Sequence, residues 1–298
     1  MIQDIAPKIF DNTYRDLKPQ ADSKILCYEG KVTGVIGAPG PGGDHGATGP
    51  DGDIGRPSPG GDLWFPDYAE FSAKTECGAE DFVYLFAIDE QQYFLYKGDI
   101  PGWLRKTPIS PSLVAVNRDR AFACSTGCHI ASWYRKHRFC GCCGKPMVHD
   151  HSLRMLRCEA CGNMVFPVLE PAVIVAVTCG DKILITRYKG RIYKGIALIA
   201  GFIEVGETGE QAVAREVMEE AGLAVRNIRY FGSQPWGIDN NFLVGYFCEA
   251  DADQAIHVDD DELSEAVWMD RSEIPVDLNR QSLTLTMIGA FAKGEEPR

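Results

Sequence analysis

The stretch from Gly201 to Leu223, GFIEVGETGEQAVAREVMEEAGL, constrains the fold more than any other part of the chain. It predicts a strand that ends at Gly201, a loop, and then a helix of about four turns. Thr208 and Gln211, three residues apart, form a capping-box pattern that marks the start of this helix. Gly222 can adopt the left-handed conformation that ends a helix. The stretch is therefore predicted to be one strand–loop–helix unit.

Three glutamates on this predicted helix point to a metal site. Glu216, Glu219 and Glu220 stand at i, i+3 and i+4, so their carboxylates share one face. Carboxylates a few ångströms apart repel by roughly 3 kcal/mol per pair at an intermediate dielectric constant, and a divalent cation reverses this repulsion. Oxygen ligands suit Mg²⁺ or Mn²⁺. The alternative is a solvated acidic face, where like charges cost only tenths of a kcal/mol, so charge alone does not decide.

The spacing of the whole stretch resembles the Nudix box. The fixed positions are Gly201, Glu207, Arg215, Glu216, Glu219, Glu220 and Gly222. The resemblance implies an α/β/α sandwich that hydrolyses a nucleoside diphosphate linked to another group. It also implies that the three helix glutamates are catalytic metal ligands, that Arg215 pairs with Glu207 to brace the loop, and that the two glycines are structural. Either Glu219 or Glu220 can accept the proton of the attacking water.

Composition narrows the class of protein. At 298 residues and 45% hydrophobic content, the chain is long enough for two globular domains. It contains no apolar run of membrane-spanning length, and residues 1–10 lack the order of a signal peptide, so we expect a cytoplasmic protein with no membrane partner. The net charge of −12 argues against a broad nucleic-acid-binding face. Because the protein is acidic, a small anionic substrate would need the bound metal cation to offset the repulsion between like charges.

Cysteine spacing predicts a zinc site before the Nudix box. The chain has eleven cysteines, a count that points to metal ligands and free thiols rather than a disulfide framework. Two CxxC pairs with ribbon-like separation suit one tetrahedral Zn²⁺, with no open position for catalysis, so this zinc is expected to be structural. Its ligands are Cys140, Cys143, Cys158 and Cys161, and the additional Cys142 is left out. The alternative, a redox CxxC, would not require a second pair.

The rest of the chain divides into segments of different character. Residues 1–33 carry no motif with a clear role, and from Gly34 onward glycine recurs at every third position. This repeat predicts a flexible insert, the alternative being a collagen-like triple helix. Phe82–Ile88 and Gln92–Tyr96 predict a hairpin, and residues 121–138 a helix. We therefore expect an α/β (α+β) protein with an insert (34–61), a small N-terminal α+β domain (62–138), a zinc ribbon (139–166) and a Nudix domain (167–298).

A zinc ribbon directly before a Nudix box resembles the NADH pyrophosphatase branch of the Nudix superfamily. The stretch TGCHIASWYRKHRFCGCCG and the tetrapeptide Ser233 to Trp236 are similar to the same regions of that branch. The resemblance implies that Phe202, Gln234 and Trp236 bind the nucleotide, that Glu262 is a further metal ligand, and that the protein is a homodimer. The alternatives are core packing for the two aromatic residues and a solvated acidic turn around Glu262.

This branch implies an NAD⁺/NADH diphosphatase that yields nicotinamide mononucleotide and AMP, with removal of NAD caps from RNA as a second activity. Gly237–Asp239 and Asn241 depart from the sequence that follows this tetrapeptide in the branch. The departure leaves the hydrolytic chemistry intact but leaves the choice of substrate undecided. One alternative is hydrolysis of ADP-ribose or another nucleoside diphosphate derivative. An alternative of another class is a zinc-ribbon, nucleotide-sensing regulatory protein, although loss of a box carboxylate would be expected there and none is lost.

Overall fold

The computed structural model describes residues 1–36, 63–109, 117–190, 195–258, 263–275 and 282–297. The chain divides into two compact units, residues 2–168 with 237–240, and Met1 with residues 169–236 and 241–298. Among the described helices, none combines the length and hydropathy that a membrane crossing requires.

The unit of residues 2–168 contains two small sheets. Its first strands are β1 (Phe10–Asp11), β2 (Lys24–Leu26), β3 (Tyr28–Glu29) and β4 (Val32–Val35), and the later ones are β5 (Phe82–Ile88), β6 (Gln91–Tyr96) and β7 (Arg105–Pro108). One sheet has the order β1-β5-β6-β2 and the other β3-β4-β7. Residues 1–33, for which the sequence indicated no role, therefore supply strands to both sheets. The predicted hairpin is confirmed as β5 and β6.

Two helices and an aromatic core complete this part of the unit. They are α1 (Tyr68–Lys74) and α2 (Arg118–Lys136), the second close to its predicted bounds. Asn117 caps α2, since its side chain accepts a hydrogen bond from the N–H of Arg120. Phe71 and Phe94 are fully buried in a cluster with Ile25 and Phe82. The short N-terminal strands are held by this core.

The glycine-rich insert begins later than the triplet repeat indicated. Gly34 and Val35 belong to β4, where Gly34 pairs with Lys106 and Val35 is fully buried. A Cβ on Gly34 would lie 2.9 Å from Ile100 Cγ2, so this glycine serves close packing rather than a Gly-X-Y repeat. The boundary at residue 34 is therefore wrong, because the first two residues of the first triplet belong to a core strand. The remaining triplets lie outside the described residues.

Deleting residues 37–62 is expected to leave kcat/KM within a few fold of wild type. The backbone N–H of Ile36 donates to the carbonyl of Trp64 at 2.8 Å, so the two ends of the deleted segment are neighbours. A linker of about four glycine and serine residues can join them. Steady-state kinetics and thermal unfolding test this. If the shortened chain loses an assembled trimer or most of its activity, the segment has a structural role.

The second unit is built on one mixed sheet. Its strands are β11 (Glu170–Cys179), β12 (Lys182–Tyr188), β13 (Ile199–Phe202), β14 (Val225–Trp236), β15 (Asn241–Ala250) and β16 (Leu263–Asp270). The order is β14-β15-β11-β12-β16, with β13 paired to β11. β11 and β15 are parallel, and β13 is antiparallel to β11. β14 is 12 residues long and continues through Gln234 to Trp236.

Helices cover both faces of this sheet, as expected for an α/β/α sandwich. α3 (Gly209–Ala221) buries Val213 and Val217 against one face, together with Val173 and Val175 of β11. α4 (Leu283–Lys293) covers the other face and packs on the intervening residues of β11 and on Phe247. Because side chains alternate along a strand, successive residues of β11 serve the two helices in turn. The predicted fold class is confirmed.

The unit of residues 2–168 also contains a third, short sheet, which forms the ribbon. Its strands are β8 (Val148–His149), β9 (Leu156–Arg157) and β10 (Met164–Val165), in the order β10-β9-β8.

Candidate active site and zinc centre

The ends of α3 have the conformations that the sequence predicted. The N–H of Gln211 donates to Thr208 Oγ1 at 3.2 Å, and the N–H of Thr208 donates to Gln211 Oε1 at 2.9 Å. At the other end Gly222 has φ +66° and its N–H donates to the Met218 carbonyl at 3.0 Å. These bonds satisfy the otherwise unpaired groups at the helix ends. The helix that carries the glutamates is thus fixed at both termini.

Arg215 ties the helix to the preceding loop and strand. Its Nε and Nη2 atoms donate to the two carboxylate oxygens of Glu207, each at 2.9 Å. Nη2 also donates to the carbonyl of Phe202 at 2.9 Å. The guanidinium, helped by the N–H of Glu204, holds the pKa of Glu207 below its usual value. This two-pronged ion pair is the brace expected from the box, and it fixes the end of β13 beside α3.

Gly201 makes room for Glu216. A Cβ built on Gly201 would overlap the carboxylate of Glu216, so only glycine allows this carboxylate to lie against β13. Gly201 pairs with Val173 of β11, which faces α3. The glycine therefore forms a notch in the sheet surface directly under the glutamate. The sequence identified Gly201 as a box residue but did not reveal this contact.

The three glutamates differ in exposure. Glu216 and Glu220 are buried, at 9% and 2% exposed, whereas the side chain of Glu219 is 57% exposed. Arg215 Nη1 donates to Glu216 Oε1 at 2.7 Å and to Glu219 Oε2 at 2.9 Å. Two buried carboxylates on adjacent helical turns need compensating positive charge. The arginine supplies one such charge, and an all-oxygen donor set of this kind fits a hard divalent cation.

The glutamate face is less tightly gathered than the cysteine site. Among the described residues, the four cysteines form the one group of three or more potential ligands whose donor atoms all lie within 4.8 Å of one another. Arg215 and Glu219 form an exposed i,i+4 ion pair on the helix surface. Such a pair contributes little free energy, so Glu219 can exchange the arginine for a cation at low cost. Glu262, the predicted additional ligand, lies outside the described residues.

The two predicted aromatic residues lie near the same end of the sheet. Phe202 is 53% exposed and pairs with Ala172 of β11. Trp236 pairs with Asn241 of β15, and Asn241 in turn pairs with Glu170 of β11. Three strand spacings separate β13 from β14, or about 14 Å. Trp236 packs partly against the core under α4. The rings therefore occupy separate positions along one edge of the sandwich.

Gln234 requires a correction. Its side chain is fully buried, and Oε1 accepts a hydrogen bond of 2.7 Å from the N–H of Leu283 at the start of α4. The prediction that Gln234 binds substrate is therefore wrong for its side chain, because the amide faces the core and satisfies a helix-end donor. Residues on β14 alternate between faces, and the continuation of this strand through Trp236 decides which way Gln234 points.

The four cysteines of the ribbon converge as predicted. Cys140 Sγ lies 3.6 Å from Cys161 Sγ, and Cys143 Sγ lies 3.5 Å from Cys158 Sγ. Tetrahedral Zn²⁺ with bonds of about 2.3 Å places sulfurs about 3.8 Å apart, so the geometry fits zinc. Burial opposes ionisation of Cys140, but the N–H groups of Cys142 and Cys143 lower its pKa to about 6. A thiolate is the form that binds the metal.

The two knuckles are built alike. Gly144 and Gly162, each following the second cysteine of a pair, have φ +71° and +76°. Their N–H groups donate to the carbonyls of Cys140 and Cys158, both at 2.8 Å. This left-handed turn is the reason that glycine follows each CxxC.

Cys158→Ala is expected to reduce zinc from one atom per chain to less than about a tenth and to lower the thermal stability markedly, because metal binding contributes folding free energy. Cys142→Ala is the matched control, since the exposed Cys142 is not in the four-thiol cluster. Elemental analysis and thermal unfolding measure both variants. Wild-type protein purified without chelator and found free of zinc would contradict the assignment.

A mixed sheet between two helices, with a carboxylate-bearing helix braced by an arginine–glutamate pair, defines a Nudix-type domain joined to a four-cysteine ribbon. Family profiles agree, since residues 168–286 match the NUDIX domain and residues 135–166 match the NADH pyrophosphatase zinc ribbon domain. The chain therefore contains a Nudix domain preceded by a zinc ribbon of the NADH pyrophosphatase type.

Curated relatives are similar to about half of this chain. The chain is 40% identical over 153 residues to the NAD-capped RNA hydrolase NudC of Citrobacter koseri, which covers 50% of this chain and 58% of that protein. It is 41% identical over 151 residues to the Salmonella typhi protein of the same name, with the same shares covered. The chain thus spans little more than half the length of these relatives. A Nudix hydrolase structure from Nitrosomonas europaea is 21% identical, with a TM-score of 0.45 over 52% of this chain and 90% of that one.

Proposed function

We propose that this protein is a divalent-cation-dependent diphosphatase that hydrolyses the pyrophosphate bond of NADH and NAD⁺ to nicotinamide mononucleotide and AMP, and that it removes NAD caps from RNA. The observation that carries the proposal is the Glu216 carboxylate seated on Gly201, beside the Arg215–Glu207 brace. The names of the curated relatives support the choice of NAD as the nucleotide.

Glu216, Glu219 and Glu220 are proposed to hold Mg²⁺ or Mn²⁺, with Glu262 added by resemblance. When bound, the cation supplies neutralisation of the diphosphate and acidification of water. Arg215 keeps the helix in register with β13 through Glu207 and the Phe202 carbonyl, so the carboxylates stay oriented. Glu219 faces solvent and Glu220 is enclosed, and one of them accepts the proton of the attacking water.

Phe202 and Trp236 are proposed to contact different parts of the substrate. Their strand positions are about 14 Å apart. Two aromatic side chains stacked on opposite faces of one ring, each at about 4.5 Å, would be only about 9 Å apart. A dinucleotide has two planar rings joined by a flexible diphosphate, and so it suits two separated aromatic contacts. ADP-ribose, which offers one such ring, is the second candidate, favoured by the altered residues that follow Trp236.

Trp236→Ala is expected to lower kcat/KM for NADH about tenfold and to leave the cation dependence unchanged, because the ring is separate from the carboxylates and an aromatic stacking contact contributes about 1 kcal/mol or more. Trp64→Ala, which removes a half-exposed indole from the other unit, is the control. Kinetics on NADH, NAD⁺, ADP-ribose and NAD-capped RNA measure the preference. Cleavage of ADP-ribose tenfold more efficient than that of NADH, with no effect of Trp236→Ala, would disprove the NAD preference.

We also propose a cytoplasmic homodimer. The dimer rests on the family resemblance, and sedimentation velocity tests it. The cytoplasmic location is supported by the cysteines, since none of the eleven described here forms a disulfide, as is typical of a reducing compartment.

A further inference from the structure

The ribbon sheet has one exposed face that mixes an aromatic ring, an aliphatic side chain and cations. Met164 of β10, Arg157 of β9 and Val148 of β8 are cross-strand partners. Pro146, two residues before Val148, forms a bridge with Phe139. Since cross-strand partners share a face and side chains alternate along a strand, Phe139, Arg157 and Met164 all lie on the same side of the ribbon. We call these three residues, with Arg138 and Lys145 at their edge, the ribbon face.

The large side chains of the ribbon face are open to solvent. Phe139 is 58% exposed and Met164 is 56% exposed, and Phe166, two residues further along, is 52% exposed. The opposite side of the ribbon is different, since Leu156 is buried and His149 is bonded to the hydroxyls of Tyr14 and Tyr134. The ribbon therefore has a packed side and an uncovered side.

One cation lies beside the exposed ring, and two further exposed cations belong to the ribbon face. The guanidinium of Arg138 lies 5.7 Å from the centre of the Phe139 ring, and Arg138, Lys145 and Arg157 are all exposed. Residues 135–166 contain six Lys or Arg and two Asp or Glu, whereas the whole chain has 30 and 42. A zinc ion bound by four thiolates carries a charge of −2, which leaves this segment positive. The ribbon is thus a basic region of an acidic protein.

An exposed aromatic ring bordered by arginines suits single-stranded nucleic acid, whose bases stack on the ring while its phosphates bind the cations. A second copy of this chain is also negative, but its charge of −12 is spread over 298 residues, whereas a single-stranded nucleic acid carries one phosphate beside every stackable base. We propose that the ribbon face binds the single-stranded body of an RNA whose NAD cap is the substrate. This inference rests on the proposed decapping activity. It also refines the sequence argument, which excluded a broad basic surface but not a local one.

The test is a comparison of two double charge reversals in the full-length, zinc-loaded protein. Arg138→Glu with Arg157→Glu alters the ribbon face, and Lys182→Glu with Lys293→Glu makes the same charge change at exposed positions of the Nudix unit. Binding is measured by fluorescence anisotropy with an uncapped single-stranded RNA of about 20 nucleotides at several salt concentrations. Kinetics are measured with NAD-capped RNA and with free NADH. Zinc content reports whether each variant retains its ribbon.

We expect the ribbon-face variant to bind RNA at least tenfold more weakly and to lower the salt slope of log K by about 1.4, the value for two lost phosphate contacts on a single strand. kcat/KM should fall about tenfold for capped RNA and remain within about twofold for NADH. Phe139→Ala, which changes no charge, should weaken RNA binding about 5- to 150-fold. The Nudix-unit control should resemble wild type.

The inference is overturned if the ribbon-face variants bind RNA like wild type, or if they lose activity on capped RNA and NADH equally. It is also overturned if sedimentation shows that they break a dimer while RNA binding is unchanged, because the face would then be a self-association surface. Failure of the proposed decapping function is distinguishable, since wild-type protein would then leave the cap intact while still binding the uncapped RNA.

Discussion

Replacing Glu219 by glutamine is expected to lower kcat about 1000-fold in Mg²⁺ or Mn²⁺ while the fold survives. The substitution keeps the side-chain volume but removes the negative charge, and a 1000-fold loss corresponds to about 4 kcal/mol of transition-state stabilisation. Glu219 is the most exposed of the three helix glutamates, so its main protein contact is the surface bond to Arg215. Loss of that bond alone would cost at most about 1 kcal/mol of stability.

Glu210→Gln provides the matched control for this variant. Glu210 is an exposed acid in the first turn of the same helix, outside the carboxylate cluster. Its replacement should change kcat less than about twofold. Mn²⁺ binding followed by electron paramagnetic resonance should weaken for Glu219→Gln and not for the control. A Glu219→Gln enzyme with more than about a tenth of wild-type turnover would show that this carboxylate is not a catalytic metal ligand.

Gly201→Ala is expected to reduce kcat at least about 100-fold. The added methyl group would overlap the carboxylate of Glu216, and the neighbouring strand prevents β13 from moving away, since Gly201 pairs with Val173 in the middle of the sheet. The carboxylate must then leave its notch and with it the position held by Arg215. Misplacement of a catalytic group by about 1 Å is enough for a loss of this size.

Gly232→Ala separates this steric effect from the general effect of alanine in a strand. Gly232 lies in β14, and a Cβ there would meet no atom within 4 Å. This variant should keep wild-type kcat and, because alanine restricts the unfolded chain more than glycine does, should be no less stable. Activity and thermal unfolding of both variants decide the matter. A fully active Gly201→Ala enzyme would mean that Glu216 does not need the notch.

The box and the ribbon were predictable because their chemistry depends on local spacing. The capping box of Thr208 and Gln211, the left-handed Gly222, and the shared face of the glutamates all follow from offsets of three or four residues along one helix. Each CxxC knuckle is likewise a local turn. For such features the tertiary structure adds distances but does not change the assignment.

Features that depend on partners far away in the chain could not be predicted from local spacing. The strands of residues 1–35 are only two to four residues long, and β1 gains its order by pairing with β5, more than 70 residues away. A strand that short has little pattern of its own. Gly34 fitted the triplet repeat equally well as an insert residue, and only its packing against Ile100 and Leu104 places it in the core.

Seven box residues and four cysteines at fixed offsets were enough to identify the Nudix domain and the zinc ribbon, since each set of offsets specifies a local structure. The positions of single side chains in these regions became visible only in the folded structure. It placed Gly201 under Glu216 and turned Gln234 toward Leu283, 49 residues further along the chain. It also gathered Phe139, Arg157 and Met164 on one face of the ribbon. The physical reason is that spacing along a helix or turn fixes short distances, whereas the facing of a strand residue depends on register and on the element packed against it.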